Sequence, residues 1–183
     1  MLDAIHPWGG AVRSYLSREV TAQVAAESWQ IEAYFRLRGE IFRDEQRLFA
    51  GSDADEYDAT ATPIVAMSHI AGMLDEVIGV VRIYETAPGV WYGGRLGVSS
   101  RYRRLGAVGT ALIDTAVSTA HGAGCQRFFA TVQSQNVRYF EHHHFRVLEP
   151  ISVCGRPHAL MEADLAFYPP ALAGAVRRGR RAA

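Results

Sequence analysis

Arg95-Leu-Gly-Val-Ser-Ser-Arg-Tyr-Arg-Arg-Leu-Gly-Ala-Val-Gly-Thr-Ala-Leu-Ile-Asp114 is the most informative stretch of this 183-residue chain. Its first residues continue a β-type run from Val90 to Val98. Ser99 to Gly106 is then a basic loop holding Arg101, Arg103 and Arg104. From Ala107 to His121 apolar residues recur at helical spacing, and Gly122 and Gly124 end the helix. A strand thus runs through an Arg-rich loop into a helix that opens on Gly106, Ala107 and Gly109. Small residues let a ligand approach the backbone closely. First-turn N–H groups lack partners inside a helix, and the macrodipole favours negative charge there. The pattern predicts a pyrophosphate cradle. It is not a P-loop, because no Gly-Lys-Ser/Thr follows, and it lacks the G-x-G-x-x-G spacing of dinucleotide sites.

Upstream, Tyr15 to Gln23 alternates as a first strand. Ser28 to Phe49 reads as a helix capped by Ser28, with Ile31, Tyr34, Phe35, Leu37, Ile41 and Phe42 at helical spacing. Gly51 to Asp58 is an acidic, turn-rich loop. Pro63 to Ile70 and Val77 to Tyr84 are apolar runs separated by Gly72 to Glu76, which suits a hairpin. Downstream, Cys125 to Val132 is β-rich and a short helix covers Asn136 to His143. Phe145 to Leu148 and His158 to Ala166 are closing strands. The order β, α, β, β, β, α, β, α, β, β predicts one α/β domain, a mixed sheet with helices on both faces. Its expected span is 15–168, between a flexible lead-in at 1–14 and an Arg/Ala-rich tail at 169–183.

Bulk composition narrows the function classes. Hydrophobic residues make up 49% and charged residues 21%, an ordinary globular balance. The 19 basic residues are all Arg, and 19 acidic residues cancel them. That balance gives no general reason to expect nucleic acid or an anionic membrane as partner. Cys125 and Cys154 lack CxxC spacing and fit free thiols in a reducing cytoplasm. Met1 to Gly10 has no signal-peptide pattern, and no run reaches the roughly 20 apolar residues of a membrane helix. The expected location is cytoplasmic. The Arg177, Arg178, Arg180 and Arg181 cluster reads as a free solubilising end.

Three motifs, in order, carry a family resemblance. Arg104-Leu-Gly-Ala107-Val-Gly109 resembles R/Q-x-x-G/A-x-G/A, the acyl-CoA motif of the GNAT (GCN5-related) N-acetyltransferase superfamily. Asn136, Tyr139, Phe140, Glu141 and Phe145 align with its second signature, N-x…F-Y-E-x-x-G-F. There His144 replaces Gly, and Phe140 replaces the Tyr that often serves as general acid. Phe35-Arg-Leu-Arg-Gly-Glu-Ile-Phe-Arg-Asp-Glu-Gln46 resembles the R-x-x-V/I-F-x-x-E-Q helix of small-molecule acetyltransferases. Asp55-Glu-Tyr-Asp58 with Val77-Ile-Gly-Val-Val-Arg82 resembles the same branch and its cousins, the acyl-homoserine-lactone synthases. A narrower likeness is to a GNAT subgroup linked with nitrogen-starvation gene clusters.

The resemblance implies a GNAT fold of about six to seven strands with one splayed strand pair, Val90–Val98 and Cys125–Val132. It implies acetyl-CoA as cosubstrate and direct transfer to the amine of a small molecule, with a homodimer allowed. Backbone amides at Leu96, Gly97 and Val98 would hold the pantetheine. Arg103, Arg104, Leu105, Gly106, Ala107, Val108, Gly109 and Thr110 would hold the pyrophosphate, and Asn136 and Phe140 the cofactor arm. Arg38, Asp58 and Arg82 would serve the acceptor.

The residues set the acid–base question independently. An alkyl amine is mostly ammonium at neutral pH, so a base is needed. Candidates are Glu45, Asp58, Glu85 and the His142 to His144 run. Tyr139 is offered as a proton-transfer residue, but lies about 100° around a helix from Phe140 and does not simply replace the family Tyr. Three successive histidines cannot share one helix face, so no metal site is expected. Arg82 inside an apolar strand requires a partner, and Asp58 or Glu56 would suit. Two other classes stay open. One is a non-catalytic acyl-CoA-binding regulatory module, suggested by Phe140 and His144. The other is an acyl-homoserine-lactone-type synthase, suggested by the acidic loop and Arg82.

Overall fold

The computed structural model describes residues 19–46, 51–171 and 176–178. Its elements are β1 (Glu19–Val24), α1 (Ser28–Gly39), β2 (Thr62–Ile70), β3 (Met73–Ala87), β4 (Val90–Val98), α2 (Gly106–Gly122), β5 (Arg127–Gln133), α3 (Val137–His142), β6 (Phe145–Val153), β7 (Arg156–Ala163) and β8 (Arg177–Arg178). The expected order holds, with β8 added. The sheet runs β6-β7-β5-β4-β3-β2-β1-β8, and all its pairs are antiparallel except β4–β5.

Both faces are covered, which is why β2 reads as a continuous apolar run. Ile64 and Ala66 face the core under α2, with Leu112, Val117, Phe128 and Met161. Val65 and Met67 face the other core, with Tyr34, Leu37, Ile41 and Phe42. Gly79 lets α2 approach β3: a Cβ there would lie 2.9 Å from a Leu112 methyl.

Several boundaries differ from expectation. Gln30, not Ser28, organises the start of α1: its Oε1 accepts the N–H groups of Ala26 and Glu27 at 2.9 and 3.1 Å. The helix does not run on unchanged. After Gly39 it widens into a π-type turn over Glu40–Glu45, a form that re-aims side chains within a helix. Residues 47–50 lie outside the described residues, as do 1–18, where the lead-in and the start of the first strand were expected. The β2–β3 turn is Ala71-Gly72, both at positive φ (52° and 77°), as a two-residue I′ hairpin requires. Within the tail read as free, Arg177 and Arg178 pair with Ala22 and Thr21. Backbone pairing needs no apolar pattern, so composition did not reveal it.

The feature that creates a site is the β4–β5 pair. It bonds only from Val90–Gly93 to Arg127–Ala130. Beyond that, β4 stays with β3 and β5 stays with β7, and the strands separate. A bulge falls at the opening. Arg82 pairs with Gly94 but Val80 with Gly97, so β4 carries an extra residue there, and Arg95 adopts φ 55°.

Candidate active site

The opened strands leave a cavity of about 330 Å³ that reaches through the sheet. On the α1 face it is lined by Tyr57, Arg82, Tyr84, Tyr92, Gln133 and His158. On the α2 face it meets Ile113, Ala116, Val117 and Phe128. A second cleft of about 230 Å³ continues toward the start of α2, between Gly97, Val98, Leu105, Gly106 and Tyr139. The two share Gln46, Leu96, Asn136 and Phe140 along their walls. The space therefore links the helix start to the α1 face through the splay.

One wall on the α1 face is an ion network. Arg38, with no exposed surface, bonds Asp58 Oδ1 and Oδ2 at 2.5 and 2.7 Å, the Asp53 carboxylate, and the Asp53 carbonyl at 2.9 Å. Arg82 bonds the Asp55 carboxylate through both Nη atoms and Asp58 Oδ1 at 2.5 Å. Arg95 donates to the Asp53 carbonyl at 2.8 Å and to Asp55 at 3.1 Å. Arg38, Asp58 and Arg82 are thus brought together, but of the three only Arg82 lines the cavity. The partner of Arg82 is Asp58 joined by Asp55, not Glu56.

Charge balance makes the burial tolerable: three guanidiniums face three carboxylates. Burial opposes the Arg38 cation, but its bonds to Asp58 and Asp53 outweigh that and raise its pKa. Burial also pushes the Asp58 carboxyl up, while Arg38, the Asp55 N–H and Arg82 together hold it below the usual range. Asp55 is held low chiefly by its bond to Arg82. Arg82, Asp55 and Arg95 line the cavity; Arg38 sits behind them.

The α2 start fits an anionic ligand in most respects. Leu105 is the N-cap and offers no side-chain bond, and the first turn holds no acidic residue. A Cβ on Gly106 would meet nothing within 4 Å. Arg104 is exposed and has no ion-pair partner among the described residues. Arg103 is tied to the Val98 carbonyl at 2.9 Å and to Glu45.

Other members of the expected cofactor set also make contacts within the protein. Val108 is buried in the core, and its N–H bonds the Leu105 carbonyl at 3.1 Å. Thr110 turns its hydroxyl back to the Gly106 carbonyl at 3.1 Å. Gly109 is small for a protein neighbour, since a Cβ there would lie 2.5 Å from the Tyr139 hydroxyl. Gly97 likewise makes room for the π-type turn: a Cβ there would lie 2.9 Å from Ile41 Cδ1.

The proton-transfer candidates scatter. Glu45 is bound to Arg103 and lines neither cleft. Glu85 is exposed and accepts the Gly89 N–H at 2.8 Å, holding the β3–β4 turn. Strand alternation places it on the face opposite Arg82 and Tyr84. Tyr139 lies in the second cleft over Gly109, and burial raises its pKa. None of His142, His143 and His144 lines a cleft: they contact the Arg138 carbonyl, Thr110 with Tyr139, and Phe167 respectively. Among the described residues no group of side chains could hold a metal ion. Both cysteines are free.

Sequence reading missed other cleft residues. Tyr57, Tyr84 and Tyr92 form a ladder, with ring centroids 4.4 and 6.0 Å apart. The Tyr84–Tyr92 pairing across the β3–β4 hairpin was available from register alone. Gln133 and His158 face each other across β5–β7, a long-range pairing with no local signal.

Residues 20–145 match the family model for the Acetyltransferase (GNAT) family. The chain belongs to that family. Solved structures agree on the fold. One is a Lactobacillus plantarum protein assigned as an N-acetyltransferase, 23% identical over 79% of this chain and 97% of that chain, with TM-score 0.69. Another is Escherichia coli ElaA, 21% identical over 80% and 99%, TM-score 0.64. A third is BjaI, a CoA-dependent acyl-homoserine lactone synthase with SAM and isopentyl-CoA, 19% identical over 82% and 86%, TM-score 0.63. No curated protein matches the sequence.

Two departures from the GNAT signature acquire a physical account. His144, at the family's Gly, keeps a left-handed conformation (φ 58°) and stacks on Phe167 with centroids 3.6 Å apart. Histidine is among the non-glycine residues enriched there. Phe140, at the family's Tyr, is 9% exposed, lines both clefts and packs edge-on against Phe145.

Proposed function

We propose that this GNAT chain is an acyl-CoA-dependent N-acyltransferase that moves an acetyl group from acetyl-CoA to the amine of a small molecule. The observation that carries the reading is the gap between β4 and β5, continuous with the uncapped start of α2. Pyrophosphate at Gly106 and Ala107, beside Arg104, would set the pantetheine along Leu96 to Val98. The thioester would then lie at the Arg95 bulge. Unpaired strand amides are donors for its carbonyl oxygen as charge develops there. The acceptor would approach from the α1 face, between the tyrosine ladder and His158. Isothermal titration with acetyl-CoA, followed by CoA release across a panel of amines, amino acids and polyamines, tests the reading. Binding with transfer to at least one amine is expected. Absence of binding would refute it, and tight binding without transfer across the panel would favour a regulatory module.

A second reading, an acyl-homoserine-lactone-type synthase, has one specific support. The cavity reaches Ile113, Ala116 and Val117 beneath α2, farther than a methyl group requires. Comparing acyl-CoA and acyl carrier protein donors of increasing length, with S-adenosylmethionine as acceptor, separates the two.

A further inference from the structure

We infer that His158 is the general base of this site, removing a proton from the acceptor ammonium through Nε2. The inference rests on the acyltransferase reading. It starts from one geometric fact: His158 Nδ1 lies 2.9 Å from the carbonyl oxygen of Arg156. A carbonyl oxygen only accepts, so Nδ1 carries the ring proton and Nε2 holds the lone pair in the neutral imidazole. Nε2 has no protein partner among the described residues, and His158 lines the large cavity. The residue is 8% exposed, so packing restricts the ring.

Strand register puts this lone pair where it is useful. His158 pairs directly with Gln133, at the end of β5 that has parted from β4. Opposed residues share a sheet face. Gln133 and His158 therefore form one wall of the opening on the α1 face, opposite Tyr84, Tyr92 and Arg82 on β3 and β4. Gln133 is held by the Gln46 side chain at 3.2 Å, and Arg156 reaches the Gln46 carbonyl at 3.4 Å. The β6–β7 hairpin that carries His158 is thereby tied to the end of the π-type turn.

The other ionisable groups of the cavity are occupied or unsuited. Asp55 is paired with Arg82 and Arg95, which hold it as a weakly basic carboxylate. Burial keeps Tyr84 protonated. Tyr57 and Tyr92 stack on Tyr84, and Cys154 lies at the β6–β7 turn.

In the step assigned to His158, Nε2 takes one proton from the acceptor ammonium. The freed amine lone pair forms the N–C bond at the thioester carbonyl, and the C–S bond breaks with its electrons on sulfur. Nitrogen sheds its second proton, sulfur gains one to give the CoA thiol, and the imidazolium releases its proton to solvent. The products are the amide, CoA and one proton.

Two acceptor probes isolate this role. Phenethylamine is an ammonium near neutral pH and needs a base; hydroxylamine is already neutral there. Wild type and His158→Ala are compared with acetyl-CoA as donor, and acetyl-CoA affinity is measured by titration calorimetry. We expect kcat/KM for phenethylamine to fall about 100-fold or more in the variant. Hydroxylamine transfer should stay within about threefold, with the acetyl-CoA Kd unchanged. Added imidazole should restore phenethylamine transfer. Equal losses on both probes, no loss on either, or a wild type that uses hydroxylamine but no alkyl amine at any pH would overturn the assignment. A wild type that binds no acetyl-CoA fails at the earlier step, the acyltransferase reading itself. His158→Gln, closer in volume, repeats the comparison if the alanine variant does not fold.

Discussion

Arg38 and Asp58 are joined by two parallel hydrogen bonds, Nη1 to Oδ1 at 2.5 Å and Nη2 to Oδ2 at 2.7 Å. Asp58 shares its Oδ1 with Arg82, so one carboxylate ties the α1 helix to the β3 strand. Removing it leaves two buried guanidiniums short of a partner. Such an uncompensated charge costs about 3–5 kcal/mol. Asp58→Ala should therefore lower the urea midpoint by a matching amount, whereas Asp44→Ala, whose pair with Arg43 is exposed, should change it little. Equal midpoints for Asp58→Ala and wild type would show that the network contributes nothing net.

The same carboxylates set an acid limit. The folded pKa values of Asp55 and Asp58 lie below that of a free aspartate, about 3.9. A lowered folded pKa means the stabilisation is complete above the unfolded value and is lost as pH falls through the folded one. Stability should hold from neutrality to about pH 4 and drop below that. Chemical denaturation at about pH 7, 4 and 3 reads the slope, which should be shallower in Asp58→Asn, since that side chain no longer titrates.

The cofactor half of the site predicts a variant that folds but does not bind. Gly106 opens the uncapped α2 start, and a Cβ there touches nothing within 4 Å. Gly106→Ala should leave acetyl-CoA affinity within about twofold. Gly106→Asp sets a carboxylate where the pyrophosphate is expected; it suits the helix dipole and repels the ligand. Loss of about 10-fold or more in affinity by calorimetry, with an unchanged or raised melting temperature, is the expected result. Unaltered affinity in the aspartate variant would move the anion site elsewhere.

The fold was legible in the sequence where local chemistry decides it. Apolar runs at Pro63 to Ile70 and Val77 to Tyr84, and the small-residue helix start at Gly106, sit where periodicity put them. The uncapped α2 start also comes from residues adjacent in sequence. The cavity wall on the α1 face does not, because its members meet only through register. Tyr84 faces Tyr92 across a hairpin, and His158 faces Gln133 across β5–β7. Gly97 and Gly109 line the second cleft and also make room for Ile41 and Tyr139, contacts that only the fold reveals. Glu45 and Glu85 carry suitable chemistry but are engaged by Arg103 and the Gly89 N–H. The π-type turn after Gly39 has no sequence signal that separates it from a continued helix.

Donor length is open to a direct measurement. The cavity reaches Ala116, a small residue on α2 that is 3% exposed and lies between Ile113 and Val117 on the cavity wall. An acyl chain extending from the Arg95 bulge would run toward it. Wild type should therefore use butyryl- and hexanoyl-CoA with kcat/KM within about tenfold of acetyl-CoA, because each buried methylene contributes about 0.8 kcal/mol. Ala116→Phe should cut hexanoyl transfer by about tenfold or more and acetyl transfer much less. Overpacking costs about 1–3 kcal/mol, so a melting curve must accompany the kinetics, with Ala116→Val as the milder substitution. A wild type that accepts acetyl-CoA and rejects every longer donor would show that the space beneath α2 is not an acyl site. It would also weigh against the lactone-synthase reading while leaving acetyl transfer intact.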